Sequence, residues 1–381
     1  MKLKVPKNTF DKAIKSVSKA VPSKGIQPIL NNILLENVNG HLKLNATDLD
    51  FSIEAIIPSV NEVEGSITIS ARKLEEIVSR LEEDDVYITV DQDTQKANLT
   101  CKSSNFDLVG LPAEDFPKTD RPDVSAYISL SKAKFSKMID LVSFAASKYD
   151  VNNILGGIYM AIRTDDDKCV FEIAATDGNR LSSYECALEK QDCPNLSKRE
   201  IVAPLKNISD IQRILDSSVD ENIKITFLNS QIIFFTQDRF IVSRLLEGSY
   251  PRYKQLIPAN QDKQALINRK DILSCLERVA TMANEITNLV KLSFKDSTLT
   301  VESSNRDFGQ AVDNLDIEYS GEPIDIYFNV KYLIEPFKYL DCEKVQFLMS
   351  GPVTPTLVKP VSDEAYLHLV MPIKHESNSH G

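Results

Sequence analysis

An internal repeat is the feature that most constrains how this chain of 381 residues can fold. One passage occurs three times, as LKVPKNTFDKAI from residue 3, ISLSKAKFSKMI from residue 128 and ALINRKDILSCL from residue 265. Each copy alternates apolar and polar residues and then places apolar residues four apart, which predicts a strand running into an amphipathic helix. Lys7, Lys132 and Arg269 share one column of the three copies. Such copies predict repeated folding units rather than one large core.

Two further passages have the same period. LKLNATD, FEIAATD and LTVESSN end at Asp48, Asp177 and Asn305, which are almost evenly spaced along the chain. An alternating strand closed by Asp or Asn is typical of a strand that ends in a turn, because these side chains bind backbone N–H groups. SITISARKLEEIVSRL, EIVAPLKNISDIQRIL and IDIYFNVKYLIEPFKYL predict a second strand and helix in each copy, and the last contains Pro336 within its helical pattern.

The period predicts an α+β fold of three repeated domains, each with two helices packed on antiparallel sheets. We place them at residues 1–124, 125–253 and 254–374, followed by a polar tail at 375–381. FDLVGLPAEDFP and FIVSRLLEGSYPRY are predicted to close the first two domains, with proline ending the last strand. The aligned columns are Phe106 with Phe240 and Tyr366 and, five residues later, Leu111 with Leu245 and Met371.

Basic residues are concentrated on the predicted helices. The net charge is −11, but the six helices together carry +7, so the rest of the chain carries −18. Lys12, Lys15 and Lys19 are spaced three and four apart, which places them on one face of the first helix. A single helix of this kind is explained by solvated lysines, whereas basic helices in all three copies favour a common cationic surface. The helices are predicted at residues 10–20, 71–82, 131–148, 205–216, 269–280 and 331–340.

The number of helices predicts how large a ring they can line. At a helix spacing of about 10 Å, six helices leave a clear bore of only ~9 Å, too narrow for a duplex. Twelve helices leave ~28 Å, enough for B-form DNA roughly 20 Å across. A head-to-tail dimer supplies twelve and leaves no open sheet edge. The pattern therefore favours a closed dimeric ring.

Several other classes of protein are disfavoured. No apolar run approaches the ~20 residues that span a membrane, and MKLKVPKNTF lacks a signal-peptide core, so a cytoplasmic location is expected. The six cysteines form no C-x-x-C pair, and neither a disulfide framework nor a metal site is predicted. An enzyme is also disfavoured, because nucleotide-binding, cofactor and nucleophile motifs are absent and no histidine lies near a Ser or Cys nucleophile motif. The histidines are His41, His368, His375 and His380.

Five motifs carry a resemblance to a known family. They are ATDGNRLS at residues 175–182, LPAEDFP at 111–117, SRLLEGSYPRY at 243–253, FNVKYL at 328–333 and LVMPIK at 369–374. In order and spacing they make residues 1–374 similar to the bacterial sliding clamps, the beta subunits of DNA polymerase III holoenzymes. The resemblance implies a dimeric ring of six similar domains that encircles duplex DNA without reading its sequence and tethers the replicative polymerase for processive DNA replication.

The same resemblance implies a peptide-binding pocket between the second and third domains. Its partners would be the DNA polymerase III alpha subunit, the clamp loader delta subunit, and other polymerases and repair proteins with clamp-binding motifs. Apolar walls and an adaptable methionine suit several peptide ligands, and Arg180 is expected near the rim. The implied residues are Leu155, Thr176, Gly178, Asn179, Arg180, Leu181, Pro251, Leu256, Leu369, Val370, Met371, Pro372, Ile373 and Lys374.

DNA contacts and a dimer seam are also implied by the resemblance. The DNA-contacting residues would be Lys24, Arg72, Lys73, Lys148, Tyr149, Asn153 and Ile154. The seam would join a strand containing Phe106 and Leu108 to a third-domain helix edge containing Thr281 and Met282. No cofactor is implied.

A repeat scaffold that binds peptides but no DNA is the alternative. It would share the pocket but would not need the cationic helix faces. Changing Lys12, Lys15 and Lys19 to glutamate would therefore leave the activity of a scaffold unchanged.

Overall fold

The computed structural model describes residues 1–23, 27–118, 121–122, 124–148, 153–164 and 169–374. Lys24 and Tyr149, both predicted DNA contacts, and the tail at 375–381 lie outside the described residues. The chain forms two compact units. Unit 1 consists of Met1–Ser136, Glu189–Ser197 and Lys206–Leu245, and unit 2 consists of Lys137–Leu188, Lys198–Leu205 and Leu246–Gly381.

The helices and strands follow the repeat in chain order. The first copy contains β1 (Lys2–Pro6), α1 (Lys7–Val17), β2 (Asn32–Val38), β3 (His41–Thr47), β4 (Phe51–Pro58), β5 (Val60–Val63), β6 (Gly65–Ser70), α2 (Ala71–Val78), β7 (Asp85–Asp91), β8 (Lys96–Cys101) and β9 (Ser104–Val109). The second contains β10 (Ile128–Ser131), α3 (Lys132–Val142), β11 (Gly157–Thr164), β12 (Cys169–Thr176), β13 (Arg180–Leu188), β14 (Arg199–Pro204), α4 (Leu205–Asp216), β15 (Asn222–Phe227), β16 (Gln231–Phe235) and β17 (Arg239–Arg244). The third contains β18 (Lys263–Asn268), α5 (Arg269–Ala280), β19 (Leu289–Lys295), β20 (Thr298–Asn305), β21 (Gly309–Asp316), β22 (Glu318–Ser320), β23 (Ile324–Asn329), α6 (Val330–Tyr339), β24 (Lys344–Met349), β25 (Thr356–Pro360) and β26 (Tyr366–Val370).

All strand pairings among the described residues are antiparallel, which confirms the predicted α+β class. Unit 1 contains a five-stranded sheet in the order β5-β1-β7-β8-β9 and an eight-stranded sheet in the order β10-β15-β16-β17-β4-β3-β2-β6. Unit 2 contains a nine-stranded sheet in the order β14-β11-β12-β13-β26-β25-β24-β18-β22 and a four-stranded sheet in the order β21-β20-β19-β23. In β7 the residues alternate between exposed Tyr87 and buried Val86 and Ile88, so one face of the sheet packs on the core.

The shared basic column marks the same structural position in each copy. Each of its residues begins a helix, and its backbone N–H donates to a carbonyl just before the strand that follows the second helix of that copy. The pairs are Lys7 with Asp84 at 3.0 Å, Lys132 with Glu221 at 2.9 Å and Arg269 with Glu343 at 2.8 Å. These bonds satisfy an N–H group that a helix cannot satisfy internally.

The helices differ from their predicted bounds mainly at the ends. The first helix begins at Lys7 instead of residue 10, because Pro6 fits the extended position before a helix, with φ −62° and ψ 131°. The helix predicted at 131–148 ends at Val142, and a 3₁₀ helix, Ser143–Ala145, follows it. The helix predicted at 71–82 ends at Val78. Side-chain periodicity does not separate a last helical turn from a 3₁₀ turn, because both keep neighbours three residues apart.

The last strand of a copy pairs with a strand of the copy before it. β17 pairs with β4, and β26 pairs with β13. The equivalent of β17 and β26 in the first copy is β9. The equivalent of β4 and β13 in the third copy is β21. Among the described strands, β9 and β21 are each the edge of a sheet.

The sequence columns at these last strands need a correction. In each copy a backbone N–H after the last strand donates to a carbonyl of the strand before the second helix. The three bonds are Leu111 to Thr68 at 3.0 Å, Leu246 to Val202 at 2.8 Å and Ile373 to Tyr327 at 2.8 Å. Leu111 therefore corresponds to Leu246 and Ile373, one and two residues after the aligned Leu245 and Met371. Apolar spacing did not fix the register because the strand ends are apolar on both faces.

No helix of the described residues is long and apolar enough to cross a membrane. Within the same residues, no group of three or more His, Cys, Asp or Glu side chains could hold a metal ion.

Candidate functional site

The LVMPIK motif at residues 369–374 lies beside the ATDGNRLS motif in unit 2. In the β13–β26 pairing, Arg180 is opposite Val370 and Leu181 is opposite Leu369. The N–H of Met371 then donates to the carbonyl of Asn179 at 2.9 Å. The structure therefore brings together two motifs that are far apart in sequence.

The turn before β13 is closed by side chains. Thr176 Oγ1 accepts from the N–H of Gly178 at 3.1 Å and donates to the carbonyl of Arg180 at 2.5 Å. Asp177 Oδ1 accepts from the N–H groups of Asn179 and Arg180 at 3.0 and 3.2 Å. Gly178 has φ +89°, in the left-handed region that favours glycine. These bonds give Asp177 the turn-closing role that the sequence predicted.

An apolar cluster covers the floor of this region. Leu181 and Leu369, both predicted, are fully buried members, and the predicted Met371 packs against them half-buried. Sequence reasoning missed most of the other members. The apolar cluster consists of Ala174, Leu181, Tyr253, Leu357, Leu367 and Leu369, with Tyr159, Tyr250, Ile257, Leu348 and Met371 packed against it.

Three tyrosines form an aromatic group at the edge of the cluster. Tyr159 stacks on Tyr250 with ring centroids 5.2 Å apart, and Tyr253 meets Tyr159 edge-on at 5.9 Å. Burial raises the pKa of Tyr253 and Tyr250, so both remain neutral. Rings of this size supply a large apolar contact area, and the hydroxyl of Tyr253 is already bonded to Glu172.

Residues 250–257, between β17 and β18, form one wall of this region and are called the wall segment. Tyr250, Tyr253 and Ile257 face the cluster, whereas Pro251 and Leu256 are exposed, Leu256 to 54%. The apolar spacing of three and four residues in SYPRYKQLI could have identified this face. Pro251 and Leu256 are not among the buried and half-buried members of the cluster, and their role in the site stays a prediction.

The other predicted pocket residues lie around the same strands. Leu155 is half-buried in the 3₁₀ helix Ile154–Gly156 and is not a member of the apolar cluster. Val370 is buried, Pro372 and Ile373 are half-buried, and Lys374 is exposed.

Arg180 is buried instead of lying at a rim, and only 4% of it is exposed. Its Nε donates to Asp177 Oδ2 at 3.0 Å and its Nη2 to the carbonyl of Phe144 at 2.5 Å, and its Nη1 pairs with Glu335. The guanidinium also lies 4.5 Å above the ring of Tyr332. Burial lowers its pKa, while Asp177 opposes that shift. In this structure Arg180 joins β13 to α6.

His368 supplies a hydrogen bond that α6 cannot make internally. Pro336 has no N–H, so the carbonyl of Tyr332 lacks its partner four residues later in α6. His368 Nε2 lies 3.1 Å from that carbonyl and must donate to it, so Nδ1 is the acceptor of the 2.8 Å bond from Ser182 Oγ. Burial, and then the positive charge of Arg180, lowers the pKa of His368 to about 3.

Ser182 and His368 lie in no nucleophile motif, but their side chains are hydrogen-bonded across β13 and β26. Both are fully buried, so a substrate cannot reach the serine. A histidine with such a low pKa is also a poor general base near neutral pH. The pair is therefore part of the packing of unit 2.

The predicted DNA contacts that the structure describes are on the surface. Arg72 and Lys73 are exposed on α2, and Lys73 lies 3.3 Å from Glu76. Lys148 is exposed and lies 3.5 Å from Glu335. Asn153 is exposed, and Ile154 is half-buried.

The basic face predicted for the first helix is present on α1 and on the 3₁₀ helix Ser18–Ala20 that follows it. Lys12, Lys15 and Lys19 are all exposed, and Lys15 pairs with Asp11 at 2.8 Å. The opposite face of α1, with Phe10 and Ile14, is fully buried.

Two of the predicted dimer residues are on β9, and the other two directly follow α5. Phe106 and Leu108 are half-buried on β9, next to Val109, which is 77% exposed. Thr281 and Met282 directly follow α5. The side chain of Met282 lies next to Gly309, the first residue of β21, where an added Cβ would be 3.7 Å from Met282 Cε. The sequence named the helix end but did not identify β21 itself.

Comparison with known proteins gives a consistent result along the whole chain. Residues 1–120, 129–252 and 254–374 match the family models for the N-terminal, central and C-terminal domains of the DNA polymerase III beta subunit. A beta sliding clamp of Synechococcus elongatus is 30% identical over 382 residues, covering 99% of this chain and 100% of the relative. Solved clamp structures from Caulobacter crescentus and Pseudomonas aeruginosa give TM-scores of 0.92 and 0.90 at 28% and 27% identity, covering 98% of this chain and 99% and 100% of theirs.

Proposed function

Since this chain belongs to the family of the DNA polymerase III beta subunit, the bacterial beta sliding clamps, we propose that it is a DNA sliding clamp that makes a replicative polymerase processive. The observation that carries the proposal is that all three clamp domains are matched in order over nearly the whole chain. The matched ranges fall within the domain boundaries that we propose, residues 1–124, 125–253 and 254–374.

The order of strand pairings supports a head-to-tail dimer. Within the chain, β17 pairs with β4 and β26 pairs with β13. The same pattern would be completed if β9 of one molecule paired with β21 of a second molecule. The reciprocal pairing would close a ring of six domains. Phe106 and Leu108 would then face the region of Thr281 and Met282, which is next to the start of β21. Closure of this kind would remove both exposed edges.

Exposed basic side chains would hold the duplex without reading its bases. Lysine and arginine contacts to phosphates give an affinity that does not depend on the base sequence, as a sliding protein requires. The same affinity falls as the salt concentration rises. Arg72, Lys73 and Lys148 have the required exposure. Asn153 and Ile154 are kept as proposed contacts, together with Lys24 and Tyr149, which lie outside the described residues.

Client proteins would dock on the apolar cluster by short peptide segments. We propose as clients the polymerase III alpha subunit, the clamp loader delta subunit, and other polymerases and repair proteins. Leucines at the floor, tyrosines and Met371 at the side, and exposed Leu256 and Pro251 at the edge would form an apolar groove of the kind that peptides enter. The remaining proposed contacts are Leu155, Thr176, Gly178, Asn179, Arg180, Val370, Pro372, Ile373 and Lys374.

The proposed role is non-catalytic and is placed in the cytoplasm, where bacterial DNA is replicated. The chain would work by topology and tethering, so no cofactor is proposed, and the ATP needed for loading would be hydrolysed by the loader.

A run-off experiment tests the proposal. The protein is loaded onto nicked circular DNA with a clamp loader and ATP, and the circle is then cut. A topological ring slides off the ends, so bound protein should fall to the level of a sample without loader, whereas retention on the cut DNA would contradict sliding. Changing Lys12, Lys15 and Lys19 to glutamate should reduce loading, while a scaffold that binds no DNA would be unaffected.

A further inference from the structure

Four charged side chains of unit 2 form a closed group of ion pairs, and one of the four belongs to the wall segment. Arg163 Nη2 lies 3.0 Å from Glu172 Oε2 and 2.6 Å from Glu185 Oε1. Lys254 Nζ lies 2.8 Å from Glu172 Oε2 and 3.1 Å from Glu185 Oε1. Each acid therefore contacts both bases, and we call these four residues the ionic latch.

The close placement of the two carboxylates would be unfavourable without the two basic side chains. Glu172 on β12 and Glu185 on β13 are direct cross-strand partners, and like charges in that position repel. Glu172 is also only 2% exposed, and a buried carboxylate requires paired donors. Burial acts to raise the pKa of Glu185, but the hydrogen bonds from Lys254 and Arg163 outweigh it and keep the pKa below its usual value. Glu185 therefore remains charged when the bases are present.

Lys254 differs from the other three members in its location. Arg163, Glu172 and Glu185 are all on strands of one sheet, whereas Lys254 is in the 3₁₀ helix Tyr253–Leu256 of the wall segment. The preceding residue, Tyr253, belongs to the apolar cluster, and its hydroxyl donates to Glu172. Two adjacent residues of the wall are thus attached to the same buried carboxylate.

We propose that Lys254 is a positioning residue for the peptide site, because its ion pairs hold the wall segment against the sheet and keep Tyr253 and Tyr250 in the apolar cluster. The inference rests on the proposed binding of client peptides at that cluster. Without the lysine, the wall segment is in its binding position for a smaller fraction of the time. The apparent affinity for the peptide falls in proportion to that fraction. Lys254 acts through the wall and contacts no ligand itself.

The test compares Lys254→Met with Lys344→Met. Lys344 is the matched control, because it makes an ion pair with Glu318 at 2.6 Å and its side chain is 44% exposed, against 46% for Lys254. The probe is a fluorescent peptide carrying the clamp-binding segment of the polymerase III alpha subunit, titrated with the full-length protein. We expect Lys254→Met to bind it about fivefold to tenfold more weakly and Lys344→Met to bind it as the wild type does.

Two further measurements separate positioning from general damage. Raising salt from about 50 mM to about 500 mM should weaken peptide binding more in the wild type than in Lys254→Met, because only the wild type has the salt-screened latch. Lys254→Arg, which keeps the charge, should restore most of the affinity. Equal affinity and equal salt dependence of the wild type and Lys254→Met would overturn the latch alone. A wild type that binds no peptide would overturn the proposed client site and the latch with it.

Discussion

Two turns of the molecule share a backbone design but present different surfaces. In unit 2, Thr176 and Asp177 close the turn before β13, and in unit 1, Thr47 and Asp48 close the turn before β4 in the same way. Thr47 Oγ1 accepts from the N–H of Leu49 at 3.0 Å, and Asp48 Oδ1 accepts from the two following N–H groups at 3.0 and 2.7 Å. Both turns are then followed by a strand that pairs with the last strand of the next copy.

The side chains at matching positions differ in kind. By strand register, Leu181 corresponds to Ser52, Leu369 to Val242, and Met371 to Arg244. Unit 1 consequently has a cavity of about 160 Å³ whose lining includes Thr47, Asp50, Ser52, Lys118 and Gln231. Unit 2 has the apolar cluster instead. The comparison indicates that the repeat provides the frame and that a few side chains decide which copy can hold an apolar peptide.

The largest expected effect concerns the arginine of each region. Arg180→Met leaves Asp177 and Glu335 without their shared cation and should lower the free energy of unfolding by about 3–5 kcal/mol. Arg244 pairs with Asp50 at 3.2 Å with both side chains more than half exposed, so Arg244→Met should cost about 0–1 kcal/mol. Urea unfolding monitored by circular dichroism measures both. Similar losses for the two variants would show that burial does not distinguish the arginines.

The next effect concerns ligand binding. Leu181→Ala combined with Met371→Ala removes apolar contact from the floor and side of the cluster and should weaken binding of the alpha-subunit peptide about hundredfold. The matched control in unit 1 is Ser52→Ala combined with Arg244→Ala, which should leave affinity unchanged. Native mass spectrometry should show the dimer for both. Unchanged affinity in the first variant would remove these residues from the site.

A smaller effect depends on pH. His368 has a pKa of about 3 in the folded protein and about 6.5 when unfolded, so the unfolded state binds more protons between these values. Stability should therefore fall as pH drops below about 6.5, by up to ~1.4 kcal/mol per pH unit from this group. The corresponding residue in unit 1 is Ile241, which does not titrate.

Urea midpoints between pH 7 and pH 5 test this dependence. His368→Gln keeps an N–H donor for Tyr332 but has no titrating ring, so its stability should decline less steeply with falling pH. His41→Gln, at an exposed histidine of unit 1, is the control. A decline of equal slope in the wild type and His368→Gln would exclude His368 as its source.

The smallest effect concerns one backbone angle. Leu49 has φ +79° where Gly178 has φ +89°, and a leucine in this region is strained. Leu49→Gly should raise stability by up to about 1 kcal/mol, and Gly178→Ala should lower it by about 1 kcal/mol, because no atom lies within 4 Å of the added Cβ and only the backbone opposes it. Thermal melting of both variants measures the two shifts, and shifts of the same sign would contradict this account.

The repeat and its consequences were predictable from sequence, and the contacts that the wall segment makes with the sheet were not. Three strand-and-helix copies, their turns at Asp48 and Asp177, and the meeting of the ATDGNRLS motif with the chain end all depend on local pattern or on resemblance. The aromatic group and the ionic latch depend on which faces of β11, β12 and β13 meet a linker much later in the chain. Short-range periodicity contains no information about such contacts, because tertiary pairing sets them.

The bond between His368 and the carbonyl of Tyr332 also constrains how this sequence can change over evolutionary time. Pro336 is in α6 and His368 is in β26, yet one removes a helix donor for the Tyr332 carbonyl and the other donates to that carbonyl. A relative that replaces the histidine with an apolar residue should also have lost the proline, since losing the histidine alone removes a hydrogen bond that this carbonyl makes. The two positions should therefore covary, and an alignment of clamp sequences would show them changing together.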